Sequence, residues 1–171
     1  MIAIATDTVD KGEVSKPKKY NVHEIVFMSI IFGLLSTVFD FIFFALFYHQ
    51  APAVLQTNWF IGSVLTELVL IYSIRTRGLF WKAKATSKTL AILTSIAAIA
   101  AVVLPYTGLG IHIFQFQTPT VHDLMVIFTV VISYFILNEF LKVAYYRFLN
   151  HNDTDVHTSR ISRALLPRTN K

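Results

Sequence analysis

Two carboxylates in this chain stand where a carboxylate is costly. Asp40 lies inside the apolar run from Ile25 to Tyr48, and Glu67 sits at the middle of LQTNWFIGSVLTELVLIYSIRTR, Leu55 to Arg77. An acid in such a run defaults to a functional reading, because its burial must be offset by a partner, a proton or a water-lined cavity. Asp40 and Glu67 are therefore the ion-path candidates. The rival reading is that each is protonated or hydrogen-bonded to nearby hydroxyls and only fixes helix register. Asp40 falls about 22 Å from one end of its run and Glu67 about 12 Å from the same side, so a direct pair is not expected. Glu139 and Lys142, at i and i+3, read as a local ion pair. The histidines split into His23, His151 and His157 on one side and His49, His112 and His122 on the other. Nothing holds them at ligand spacing, and no metal site is expected. No P-loop, no nucleophile with its base and no glycine-rich phosphate cradle occurs, so the chain offers no catalytic residue and no cofactor site of its own.

The elements that would carry these residues follow from composition. Hydrophobic residues make up 54% of the 171 positions and charged ones 15%, with mean hydropathy +0.57, far from the balance of a water-soluble domain. The charges fall almost wholly outside four apolar runs, at about Ile25 to Tyr48, Thr57 to Ile74, Thr89 to Leu104 and Asp123 to Val143. The expected fold is all-α, a polytopic four-helix transmembrane bundle over residues 25–149. Residues 1–24 precede it, Met1 to Thr6 as a short apolar fragment and Asp7 to Glu24 as a polar loop broken by Pro17, and residues 150–171 follow as a polar, mobile tail. In the second run, nine strongly apolar residues contribute roughly −4 kcal/mol to insertion against about +3 for Glu67, so it inserts with a narrow margin. Net charge +5 would in a soluble chain point to nucleic acid. Here the basic residues flank the spans, so anionic lipid is the expected partner and nucleic acid is not. Cysteine is absent, which removes disulfides and thiolate metal sites. The first ten residues lack the basic and apolar regions of a cleavable signal.

Faces can be read along each run. Ser29, Gly33, Ser36 and Asp40 share one side of the first helix, a small and polar stripe expected to pack against another helix while Phe39, Phe41, Phe43 and Phe44 cover the rest. Gln50 to Gln56 reads as a tight turn, with Pro52 in it. The third run is rich in alanine and ends at Pro105, and YTGLGIH is a turn. Phe80 and Trp81 read as interfacial anchors between basic clusters. Lys and Arg fix the threading: four in the entry segment, five between the second and third runs, six from Lys142 onward, and none in the other two loops. By the positive-inside rule both termini and the central loop are expected in the cytoplasm, which leaves the Asn152 sequon unused.

In order, ATDTVDKGEVSKPKKYNVHEI, FGLLSTVFDFIFF, LQTNWFIGSVLTELVLIYSIRTRGLFWKAKATSKTL, LPYTGLG and FILNEFLKVAYYRF resemble the carboxy-terminal membrane domain of P-type cation-transporting ATPases, above all the magnesium-transporting and proton-pumping branches. The resemblance runs to about Leu149. It implies the end of a sixth membrane helix followed by helices seven to ten of a pump that uses ATP and Mg2+ and is phosphorylated on an aspartate. That aspartate's DKTGT motif is not in this chain, and of the sixth-helix region only Asp7 and Asp10 would be present. Gly62 stands where the family often has an acid, four residues before Thr66, and Glu67 lies nearby. A starting methionine inside a would-be helix reads as a fragment, a split or truncated pump, or a misplaced start. The expected function is to support ATP-driven cation transport without hydrolysing ATP alone. The expected partners are membrane lipids and the remaining helices and cytoplasmic domains of a pump. Two alternatives stay open: a stand-alone four-helix subunit or regulator, and a secondary transporter built by oligomerisation with Glu67 as its proton or cation site.

Overall fold

The computed structural model of the chain describes residues 22–75, 80 and 86–165. Asp7, Asp10, Pro17, the Lys11 to Lys19 cluster and Trp81 lie outside them. The described residues form helices joined by turns and irregular connections, with no strand among them: α1 Val22–Phe47, α2 Pro52–Ile74, α3 Lys88–Val103, a 3-10 turn Leu104–Tyr106, a short α4 Gly108–His112, and α5 Val121–Leu165. Four stretches are long and apolar enough to cross a membrane, Val26–Phe47, Pro52–Ile74, Lys88–Tyr106 and Val121–Tyr145. Only 22% to 33% of each is buried inside the bundle. The bulk of every span therefore faces outward, as lipid or further helices require and water does not permit.

α2 is the hub, packing against α1, α3 and α5, while α1 and α5 also meet. Its first turn begins at Pro52, five residues before the Thr57 start read from hydropathy. Proline at the first helical positions lacks only an N–H that would have no partner there, so the helix starts on it rather than after it. The core is a cluster of Phe43, Phe47, Ile61, Leu65, Ile127 and Val131 from α1, α2 and α5.

The packing face of α1 differs from the one expected. Met28, Phe32, Phe39, Phe43 and Phe47 are buried, whereas Ser29 and Gly33 are exposed and a Cβ on Gly33 would meet nothing. The reason is on the partner helix. Gly62 of α2 gives the Phe43 ring its seat, so the small residue that permits close approach comes from α2 and the large one from α1. The alanine-rich α3 leans on α2, with Ala98 and Val102 against the core and Thr94 hydrogen-bonded to Tyr72.

At the end bearing the α1–α2 turn, α5 opens with a reciprocal cap. Thr120 Oγ1 accepts from the Asp123 backbone N–H at 3.1 Å, and Asp123 Oδ2 accepts from the Thr120 N–H at 3.1 Å. That arrangement satisfies two donors that a helix start otherwise leaves free. The connection from α4 is tied to α2 by the Gln117 N–H donating to Thr57 Oγ1 at 3.0 Å. α4 needs glycine at 110, where any Cβ would strike the Leu104 carbonyl. At the other end α5 does not stop near Asn150 but continues as helix to Leu165.

Candidate functional site

Polar side chains inside the bundle gather at three levels. At the turn end, Asp123, Thr57 and Asn58 are buried. Asp123 accepts weakly from Gln50 Nε2 at 3.4 Å, and the Asn58 amide lies beside it without hydrogen-bond geometry. This level closes the helix starts and the connection from α4.

At the Ile74 end lies the expected Glu139–Lys142 pair, at 2.5 Å. It is not a surface pair: both side chains are nearly inaccessible, 6% and 2% exposed. Lys142 Nζ donates to the Ser73 carbonyl at 2.9 Å. That carbonyl is among the last four of α2, which have no acceptor role within the helix, so Lys142 caps α2 and its charge complements the helix dipole. Glu139 Oε1 accepts from Ser73 Oγ at 2.8 Å, and Oε2 accepts from the backbone N–H of Phe80 at 2.8 Å. Two charges in a low-dielectric setting are tolerable only when their hydrogen-bonding capacity is used, and here it is. The chemistry available is structural: a neutral, satisfied clamp that binds α5 to the end of α2 and to the segment beyond it.

Between those two levels, at different depths, lie the two ion-path candidates. Asp40 is half-buried on α1 and Glu67 is exposed on α2. Inside the bundle, α5 carries Tyr134. Tyr134 is wholly buried, its ring edge-on to Phe39 at 5.0 Å. Its hydroxyl has no hydrogen-bond partner, although the Ser36 and Asn138 side chains approach it. Asn138, also wholly buried, donates Nδ2 to the Tyr134 carbonyl at 2.8 Å and leaves Oδ1 unsatisfied. Buried polar atoms without partners are rare in folded proteins and call for an explanation.

Tyr134 and Asn138 escaped the sequence reading because a lone tyrosine and asparagine in an apolar run look like ordinary packing. Their i, i+4 spacing puts them on one face of α5, which was the available signal. The bond of Ser73 to Glu139 could not be foreseen without the crossing of α2 and α5.

Residues 1–144 match the family model described as "Cation transporting ATPase, C-terminus". The chain is 28% identical over 153 residues to the magnesium-transporting ATPase, P-type 1, of Escherichia coli (strain K12), covering 85% of this chain and 17% of that protein. It is 26% identical over 153 residues to the protein of the same name from Salmonella typhimurium (strain 14028s / SGSC 2262), with the same coverage. The chain thus spans about a sixth of the length of these relatives, and four apolar helices are what it shares with a membrane domain. With a match across most of its length, the chain belongs to the family of cation-transporting ATPase C-terminal domains, as a membrane domain of the P-type class.

Proposed function

We propose that this chain supports ATP-driven transport of a cation, magnesium first among them, as the carboxy-terminal membrane domain of a P-type pump. The observation that carries the reading is the match of residues 1–144 to the family model, together with relatives named as magnesium-transporting ATPases. The work of this domain is to buttress the helices through which the ion passes. The clamp of Glu139, Lys142 and Ser73 suits it to that work, since it holds α2 and α5 in one register. Phosphorylation and ATP binding belong to other parts of such a pump, and this chain brings no catalytic residue to them. The test is a chimera in which these 171 residues replace the aligned sixth of the Escherichia coli relative, in a strain without other magnesium uptake. Growth at low magnesium and vanadate-sensitive ATP hydrolysis are expected of the chimera, and no hydrolysis of the chain alone. A stably inserted chimera that neither grows nor hydrolyses ATP would overturn the magnesium-pump reading.

The orientation belongs to the same proposal. All fifteen Lys and Arg fall on one side of the four-span threading, which supports a cytoplasmic position for both termini and the α2–α3 connection. Single cysteines at positions 52 and 115 are expected to react with an impermeant maleimide added outside intact cells. Labelling only after permeabilisation would reverse the threading.

A further inference from the structure

We infer that the groove between the last two turns of α2 and the facing stretch of α5 is a phospholipid site, which takes one acyl chain between the helices and holds the phosphate at the basic end of α2. The two helices run parallel and meet at a constant offset of 66 residues. Ile61 with Ile127 and Leu65 with Val131 share the core cluster, and Ser73 bonds Glu139 at 2.8 Å. Between the last two of these contacts α2 offers only Val69, and there the seam opens. The opening has a volume of about 280 Å³ and is lined by Val69 and Tyr72 of α2, by Val131, Ile132 and Phe135 of α5, and by Phe80. Its wall is apolar throughout, because the Tyr72 hydroxyl is engaged with Thr94 of α3.

Space of this size holds several waters only where polar groups bind them, and left empty it forfeits the dispersion contacts of its whole lining. Hydrocarbon is what fits. Ile132 at the rim is 58% exposed, so the groove opens to the bilayer rather than into the bundle. Its shape is fixed at the Ile74 end: the Phe80 ring stands edge-on to Tyr72 and Phe135 at 6.0 and 5.6 Å, and the Phe80 N–H is held by Glu139 Oε2 at 2.8 Å. The charge at that end selects the head group. Arg75 follows Tyr72 by three residues, on the same side of α2 and about 9 Å beyond Val69. It opens a connection, residues 75–88, that has five basic residues and no acid. A phosphate drawn to that layer sits just above a chain that descends into the groove. The inference takes from the function proposed above only that the helices span a membrane.

The test is photo-crosslinking of the full chain in phosphatidylcholine nanodiscs that carry a small fraction of phosphatidylglycerol with a diazirine in the upper part of one acyl chain, mapped by mass spectrometry of the peptides. Labelling is expected between Val69 and Tyr72 and between Val131 and Phe135, well above that at Ile96 and Ile99, which are exposed on the outer face of α3. Ile132→Trp plugs the rim without touching the buried core and is expected to lower groove labelling about tenfold. Met125→Trp, two turns nearer the α1–α2 turn and 65% exposed in the parent, is expected to leave it unchanged. A diacylglycerol with the same diazirine chain is expected to label several-fold less, and equal labelling by it overturns the assignment of the phosphate. Labelling spread evenly over α3 and α5, or undiminished in Ile132→Trp, means bulk lipid only and overturns the site. Groove labelling that disappears when the chain is part of the chimera shows that other helices fill the groove, and overturns it as well. Diffuse labelling beside an active chimera sinks this inference alone, and groove labelling beside a silent chimera sinks only the pump reading.

Discussion

Replacing Lys142 by methionine is expected to destabilise the bundle by about 3–5 kcal/mol, the cost of leaving one member of a buried ion pair uncompensated. The loss has three parts. Glu139 keeps its bonds from Ser73 Oγ and the Phe80 N–H but loses its cation. The Ser73 carbonyl at the end of α2 loses its donor. The tie between α2 and α5 is reduced to one side-chain hydrogen bond. Methionine fills the same volume with no polar atom to satisfy, so the variant isolates charge from packing. The double variant Glu139→Gln, Lys142→Met removes both charges, and it is expected to recover more than half of the loss, because paired removal escapes the desolvation penalty that single removal exposes. Unfolding followed by circular dichroism in detergent or nanodiscs reads both. Lys142→Met within about 1 kcal/mol of the parent chain would mean that water reaches the pair and the clamp contributes little.

The second large effect is expected at Gly62. A Cβ placed there would lie 2.6 to 2.8 Å from ring atoms of Phe43, closer than side-chain carbons approach. The ring has nowhere to go: Phe43 is fully buried among Phe47, Ile61, Leu65, Ile127 and Val131. Gly62→Leu is therefore expected to cost about 3 kcal/mol, at the upper end of overpacking, and Gly62→Ala less, since the gain in helix propensity of about 1 kcal/mol works against the clash. Combining Gly62→Leu with Phe43→Leu restores volume across the contact and is expected to return a good part of the stability. The same unfolding measurement checks it, and an unaltered Gly62→Leu bundle would show that α1 and α2 can separate freely at this crossing.

How far the sequence disclosed this arrangement depends on the kind of interaction. The spans were legible because hydropathy and the placement of Lys and Arg are summed over twenty residues, and no single side chain decides them. The start of α2 was less so. Gln56, Thr57 and Asn58 look like loop residues, but Thr57 and Asn58 are buried in the second turn of a helix that begins at Pro52, where Thr57 bonds a segment sixty positions away. Glu139 and Lys142 were legible as a pair because i, i+3 spacing is local. Their burial was not, since it depends on Ser73 and Phe80 arriving from another part of the chain. The face of α1 was misjudged for a related reason: a stripe of Ser29, Gly33 and Ser36 marks where close approach is allowed, while the partner's Gly62 determines where it happens. Asp40 and Glu67 stood out as costly residues, whereas Tyr134 and Asn138, whose buried polar atoms lack partners, are of types that by themselves announce nothing.

The distribution of polar ties gives the bundle a mechanical character. Directional bonds occur at its two rims, through Thr57, Gln117, Thr120 and Asp123 at one and through Ser73, Phe80, Glu139 and Lys142 at the other. Between them, among the described residues, the core contacts are aliphatic and aromatic surfaces, which are not directional. The assembly is hooped top and bottom and supple at the waist. A push delivered to one helix is then taken up as bowing of the midsection, with both rims as fulcrums, and the compliant zone coincides with the height at which Phe39 and Tyr134 meet.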